Sequence, residues 1–364
     1  MKKESEDLRR NERKGSESTM KAMVLHELAD LERVSEPLKL EEVPKPTIAD
    51  DELLVRVSTC AVCHTELDEI EGRTPPPRLP VILGHQAVGS IDEVGEKVHG
   101  FSAGERVGVA WIFSACGVCR YCREGRENLC EKFTATGRDA NGGYAEYMAV
   151  PAGFAHRIPG MFTDLEAAPL LCAGAIGYRS LTLAGIADGD NLGLMGFGAS
   201  GHLVLKLVRH RYPHTTIFVF ARGDSEKEFA RSLGAAWAGN IDSVSPEHLH
   251  SIIDTTPAWA PVVASLKNLH PGGRLVINAI RKEDRDKSVL SSIDYPTHLW
   301  MEKEIKTVAN VTRNDVREFL AIAAEISLKA DVEEFSLKDA NKALTDLKRR
   351  KIRGAKVLKI PPVH

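Results

Sequence analysis

The sequence predicts an α/β protein in two parts, a β-rich region of short, turn-punctuated strands and a doubly wound parallel-sheet domain. Three observations carry that expectation. The chain has 364 residues, enough for about two ordinary domains. From Met20 to Val109, short β-type runs are broken by Pro37, Pro44 and Pro46 and punctuated by Gly95, Gly100, Gly104 and Gly108, as in an irregular antiparallel lobe. From Asn191 onward, apolar strands alternate with helical periods, the pattern of parallel βαβ units.

Composition narrows the partners. A hydrophobic share of 43% and a charged share of 27% belong to a soluble globular protein, and a formal net charge of -3 gives no electrostatic reason to expect nucleic acid or an anionic membrane. Small molecules are the expected partners. No apolar run reaches the roughly 18 residues of a membrane span and no secretory leader is recognised, so the expected location is cytoplasmic. The seven cysteines cluster at short spacings, which favours metal ligands over disulfides.

Residues 1–19 are polar and of mixed charge, with no apolar period to bury, and are expected to be a disordered extension. Met20 to Leu25 reads as the first strand. A further strand-like run, Glu52 to Ser58, leads into Cys60-Ala-Val-Cys63-His64-Thr65-Glu66-Leu-Asp68, which sets thiols, an imidazole, a hydroxyl and carboxylates at a strand mouth. Alone, Cys-x2-Cys-His fits a metal site, a redox pair or two buried thiols. Next comes Gly84-His85-Gln86, where a histidine after an apolar run either faces a metal or is a satisfied core residue.

Cys116, Cys119, Cys122 and Cys130 follow as C-x2-C-x2-C-x7-C. Four thiolates this close can complete a tetrahedral shell without a distant partner, as structural zinc requires; an iron centre is the chemical alternative. A closed shell stabilises and does not react. The stretch from Glu166 to Tyr178 is apolar and helix-like, so Cys172 is expected to be buried.

Leu192-Gly-Leu-Met-Gly196-Phe-Gly198-Ala-Ser-Gly201 is a strand running into G-x-G-x-x-G, followed by a helical period and a second strand, Thr216 to Phe220. The whole unit is that of a dinucleotide site, with pyrophosphate on the helix N-terminus. At the end of the second strand, where NAD readers carry an acid, the chain has Ala221-Arg222. Arg222 either pairs with a 2′-phosphate or is a solvated arginine, and Asp224 stands nearby; NADP is favoured over NAD. Two C-terminal stretches, Asn314 to Lys329 and Leu337 to Leu347, read as structural helices.

Taken together, Cys63-His64-Thr65, Gly84-His85, the four-cysteine lobe, Leu171-Cys172-Ala173-Gly174 and the glycine fingerprint resemble the zinc-dependent medium-chain alcohol dehydrogenases, bacterial and cinnamyl-alcohol-type members above all. The resemblance spans nearly the whole chain from Met20. It implies a GroES-like catalytic domain at 20–174 and 311–364, with a structural zinc lobe at 114–132, around a Rossmann domain at 175–310. It implies two zinc ions per chain: one on Cys63, His85 and Cys172 with an open fourth position, the other on Cys116, Cys119, Cys122 and Cys130. Such a metal acts as a Lewis acid toward a substrate oxygen while hydride passes to or from a nicotinamide. Thr65 matches the hydroxyl that passes the alcohol proton outward.

The chain departs from the family pattern at several places. Gln86 replaces a common Glu, Glu66 stands for an Asp that orients a ligand, and Asp68 replaces a relay histidine, leaving water, His64 or the cofactor ribose as proton routes. Arg353 is a candidate for the pyrophosphate or a surface arginine. Trp111 falls where relatives line the cleft, suggesting an apolar alcohol or aldehyde, or is core; Cys60 is read as packing. Family members are dimers or tetramers, and a homotetramer is favoured over a homodimer. The competing functions are a zinc-independent quinone or enone reductase of the same superfamily and a non-catalytic dinucleotide-binding redox sensor.

Overall fold

The computed structural model describes residues 18–349 and 355–362. Arg353 and most of the expected extension lie outside those residues. Strand β1 (Thr19–Leu25) opens the fold, so Thr19, expected in the extension, already pairs with Pro44 of β2 (Leu38–Pro44). In β1 the exposed Thr19 and Lys21 alternate with buried Met20 and Ala22, which leaves one wet face.

Strand β3 (Glu52–Ala61) runs three residues beyond the expected Ser58 and is the spine of a seven-stranded sheet. It pairs antiparallel with β5 (Ala87–Val94), with β9 (Tyr147–Pro151) and with β18 (Ala355–Lys359). On the β5 side the sheet continues into β6 (Arg106–Val109) and β10 (Ala155–Arg157); on the other, β18 pairs with β17 (Val332–Ser336). The C-terminal segment thus returns to the N-terminal sheet. Strand β4 (Val81–Ile82) completes the sheet of β1 and β2, and β7 (Ile112–Ser114) pairs with β8 (Thr134–Ala135) to flank the four-cysteine lobe.

The second region is a six-stranded parallel sheet: β11 (Asn191–Met195), β12 (Thr216–Phe220), β13 (Trp237–Gly239), β14 (Leu249–Asp254), β15 (Leu269–Ile277) and β16 (Glu304–Thr307). Their spatial order is β13-β12-β11-β14-β15-β16. The chain therefore runs outward from β11 and then restarts on its other side. That reversal opens a crevice at the C-terminal ends of β11 and β14, where ligands of doubly wound sheets sit. Leu192 to Met195 are all buried, as a parallel strand covered on both faces must be.

The α-helices of seven or more residues among the described residues are α1 (His64–Ile70), α2 (Ala173–Ala184), α3 (Ala199–Arg211), α4 (Asp224–Ser232), α5 (Ala260–Asn268), α6 (Arg313–Glu325) and α7 (Ala340–Lys348). Helix α6 begins at a capping box, with Thr312 and Asp315 satisfying each other's backbone amides. Its period buries Val316, Phe319, Leu320 and Ala323, and Phe319 lies so close to Gly174 that a Cβ there would sit 2.2 Å from its ring. Burying Phe319 and Leu320 contributes about 2 kcal/mol each and fixes α2, whose N-terminus carries Cys172. Both C-terminal helices expected from periodicity are present, the second entered through a turn at Leu337–Asp339. Among the described residues no helix is long and apolar enough to cross a membrane.

Candidate active site

Three elements deliver the candidate ligands. Cys63 is the extended residue between β3 and α1, where it caps the helix. Glu66, three residues on, turns back so that its Oε2 accepts from the Cys63 amide at 2.8 Å. The same carboxylate reaches His85 with its other oxygen, 2.6 Å from Nδ1. His85 follows Gly84, whose φ of +99° and crowding by Tyr144, 2.4 Å from where a Cβ would stand, admit only glycine. Cys172 caps α2, where it is half-buried and not fully buried as expected.

These three side chains converge. The Sγ atoms of Cys63 and Cys172 are 4.0 Å apart, and His85 Nε2 is 3.4 Å from Cys172 Sγ. With Zn–S near 2.3 Å and Zn–N near 2.0 Å, the edges of a tetrahedral shell are about 3.8 Å between sulfurs and about 3.5 Å between sulfur and nitrogen. The donor set therefore fits zinc in both chemistry and spacing. Held by Glu66 at Nδ1, His85 turns Nε2 to the thiols, the arrangement by which a carboxylate fixes a ligating imidazole.

The electrostatics agree with a shared ligand set. The hydrogen bond with Cys172 outweighs burial and, with His85, holds the Cys63 thiol well below its ordinary value; the same bond and burial push Cys172 up. Burial opposes the charged form of His85, yet Glu66 and Cys63 together raise it. Thr65 Oγ1 lies 3.6 Å from Cys63 Sγ, at the edge of the ligand set, with His64 exposed beside it.

Two further carboxylates on α1 behave differently. Asp68, at the position of the relay histidine, takes Nε of Arg73 and, at 3.0 Å, Nε of Arg281 on the same oxygen. It is committed to ion pairs. Glu69 is fully buried and neither of its oxygens has a hydrogen-bond partner among the described residues; burial and the nearby Glu66 push its carboxyl well above the usual carboxylate range.

The second cluster is compact. Cys119 Sγ and Cys116 Sγ lie 3.6 and 3.9 Å from Cys122 Sγ, and Cys130 belongs to the same set of atoms, all within 4.8 Å. Amides of Cys119 and Lys132 point at Cys116 and Cys130 sulfurs, and the Val118 and Cys119 amides bring the Cys116 thiol down to about 6. Burial and the neighbouring thiols push Cys122 up to about 12, so the thiols share their protons unevenly, and the four sulfurs together make a donor set that fits a tetrahedral metal. The lobe is docked by Glu127, whose Oε1 accepts both N and Nε of Arg313 at the start of α6.

At the strand crevice, Gly196 has φ +86° and a Cβ there would meet Thr255 Oγ1 at 2.8 Å; Gly198 opens on free space ahead of α3, and Gly201 packs on the Gly196 carbonyl. Ala221 is buried at the end of β12 and Arg222 is exposed beyond it. Asp224 pairs with Lys227 at 2.9 Å, so the acid that stood near Arg222 in sequence is engaged on its own helix. Arg222 lines a cavity of about 160 Å³ with Pro257, Ala258, Glu283, Arg285 and Asp286. Trp111 is 7% exposed, packs 5.3 Å from Phe133 and belongs to the antiparallel core, the alternative its surroundings support. Cys60 is fully buried, as expected of packing.

Sequence reasoning missed the segment 278–286, which crosses the ends of β14 and β15. Lys282 Nζ donates to Asp254 at 2.5 Å and to the carbonyls of Thr256 and Ala258, while Asp286 accepts from the amides of Trp259 and Ala260. Its signal was the mixed-charge run Arg281 to Asp286 directly after an apolar strand, a pattern that also describes any solvated loop.

Comparisons with known proteins agree with this architecture. The alcohol dehydrogenase GroES-like domain model matches residues 49–160. A probable alcohol dehydrogenase, AdhA, of Mycobacterium tuberculosis is 42% identical over 335 residues, covering 91% of this chain and 93% of that protein. An alcohol dehydrogenase of Geobacillus stearothermophilus is 33% identical over 348 residues, covering 91% and 99%. Two solved structures share the fold. A cobalt- and zinc-bound thermostable alcohol dehydrogenase from Pyrobaculum aerophilum has a TM-score of 0.82 at 24% identity, covering 94% of this chain and 100% of that one. The protein CAD from Helicobacter pylori, complexed with NADP(H), has a TM-score of 0.81 at 21% identity, covering 94% and 98%. The chain belongs to the zinc-dependent medium-chain alcohol dehydrogenases.

Proposed function

We propose that this dinucleotide-dependent alcohol oxidoreductase interconverts apolar alcohols with their aldehydes or ketones, using NADP(H) in preference to NAD(H). The observation that carries the reading is the convergence of Cys63, His85 and Cys172, with Nε2 of His85 turned inward by Glu66. These three would hold the catalytic zinc, and Cys116, Cys119, Cys122 and Cys130 would hold the structural one. Zinc bound at the first set supplies Lewis acidity, lowering the pKa of an alcohol or polarising a carbonyl.

The chain's own residues do the rest. Thr65 Oγ1, at the rim of the ligand set, takes the alcohol proton, and exposed His64 or water carries it to solvent. Glu66 keeps His85 in one tautomer and one orientation. Gly196, Gly198 and Gly201 let the pyrophosphate approach the N-terminus of α3. Arg222, with Arg285 across the same cavity, favours a 2′-phosphate where relatives that read NAD carry an acid. The division into 20–174 with 311–364 and 175–310, a cytoplasmic location and a homotetramer or homodimer complete the proposal.

The zinc-independent reductase and the redox sensor are not favoured, since neither needs the full thiol–imidazole set. The test is aldehyde-dependent oxidation of NADPH and NADH by the purified protein, before and after zinc is stripped and restored. Turnover should vanish without zinc, return with it and be faster with NADPH. Equal rates with and without zinc would reject the reading.

A further inference from the structure

We propose that Asp68 and Arg281 are a positioning pair, an ion pair that fixes α1 from its second turn against the strand-end segment 278–286 and so aligns Cys63 and Thr65, at the start of the same short helix, with the cofactor crevice. The inference rests on the active-site reading above but concerns a contact that reading does not use.

The two residues come from different regions. Asp68 stands on the helix whose first turn carries Thr65 and whose cap is Cys63; Arg281 stands four residues past the end of β15. Their side chains meet at 3.0 Å, with the Asp68 side chain only 9% exposed and that of Arg281 28% exposed. A carboxylate so poorly hydrated depends on its partners more than a surface acid does.

The segment that presents Arg281 is itself anchored. Lys282 is hooked to Asp254 and to two carbonyls beyond β14, the amide of Glu283 donates to Pro257, and Asp286 caps α5 through the Trp259 and Ala260 amides. Its far end brings Arg285 to the cavity beside Arg222. One short, pinned stretch therefore touches the catalytic helix at one end and the end of the cofactor crevice at the other. Arg73 also binds Asp68, but it lies five residues along the same segment, and its amide caps the Asp68 carbonyl. It secures the end of α1 locally and reaches nothing on the parallel sheet.

The geometry separates the two arginines, and so does the test. Zinc-loaded full-length wild type, Asp68→Asn, Arg281→Gln, Arg281→Lys, Arg73→Gln and the double variant Asp68→Asn/Arg281→Gln are compared for kcat and KM with aldehyde and for NADPH dissociation constant by fluorescence quenching. Asp68→Asn and Arg281→Gln should each lower kcat roughly tenfold, below the about hundredfold that a 1 Å misplacement can cost, and weaken NADPH several-fold. Aldehyde KM and zinc content should stay put. The double variant should be no worse than either single change, Arg281→Lys should recover most of the loss, and Arg73→Gln should stay within about twofold of wild type. A loss in Arg73→Gln with a silent Arg281→Gln would make Asp68 a local helix clamp and overturn the proposal. A loss in Asp68→Asn alone would make it a proton carrier and overturn the proposal equally, and additive losses would do the same. Zinc-dependent turnover of the wild type tests the active-site reading separately.

Discussion

Oε1 of Glu66 lies 2.6 Å from Nδ1 of His85, with the two side chains 0% and 1% exposed. One carboxylate thus performs two tasks, since Oε2 is spent on the Cys63 amide. It ties the cap of α1, which carries one candidate ligand, to the imidazole that is another.

Glu66→Gln should therefore weaken zinc binding about 10- to 100-fold, the usual cost of losing the partner that orients a ligating histidine. Competition with a chromogenic chelator measures it. Glu69→Gln is the internal control. Its carboxyl is equally buried, is pushed well up by burial and Glu66, and has no hydrogen-bond partner among the described residues, so an amide of the same shape should leave zinc retention as it is. Loss of zinc in both variants would show that burial, and not the contact with His85, governs the site.

Arg222 and Arg285 line the same cavity as one further acid, Glu283, while Asp286 is spent on the cap of α5 and Asp224 on Lys227. Arg222→Ala should cut kcat/KM for NADPH about 10- to 100-fold, the worth of a charge-assisted hydrogen bond, and leave NADH within about threefold. Arg285→Ala should do the same in smaller measure. Initial rates with both cofactors decide it, and an equal loss with NADPH and NADH would reject the phosphate-reading role.

What the sequence made legible follows from where the information is local. The four-cysteine lobe, the glycine turn at Gly196 to Gly201 and the strand Thr216–Phe220 depend on spacing within one short stretch, and they stand in the structure as expected. Cys63, His85 and Cys172 come from three distant elements, so composition and spacing left each ambiguous and only resemblance joined them. Asp68 shows the limit. In sequence it is an acid where the family pattern has a histidine; in the structure it pairs with Arg73 nearby and with Arg281, 213 residues away, on a loop with no periodicity to flag it. Trp111 was open between cleft and core, because a large aromatic after a strand suits either, and in the structure it is buried against Phe133.

The four-cysteine lobe should be structural and separable from catalysis. Cys122→Ser should reduce zinc from two equivalents per chain to one and lower the thermal midpoint by roughly 5 °C or more, about 4 kcal/mol for a chain of this size. Residual turnover per remaining folded chain should persist. Because Glu127 docks the lobe on Arg313, Glu127→Ala should lower the midpoint while retaining both metals. Metal analysis alongside calorimetry distinguishes the two, and retention of two zinc ions by Cys122→Ser would place the metal elsewhere.

His156 sets a pH dependence away from both metal sites. It lies in β10, 7% exposed, its Nε2 has no hydrogen-bond partner, and burial followed by the charges of Arg313 and Arg317 lowers its pKa from 6.5 to about 4. The folded state therefore holds the ring neutral where the unfolded chain would protonate it. The unfolded chain binds the extra proton between pH 6.5 and about 4, so stability is full above pH 6.5 and falls as pH drops through that window, by about 3 kcal/mol across the whole of it. His156→Phe removes the proton site and keeps an apolar ring. Its thermal midpoint should fall less between pH 7.5 and 5.0 than that of wild type, although ligand protonation at the metal sites lowers both curves alike. Parallel curves for the two proteins would show that His156 is not neutral in the folded chain.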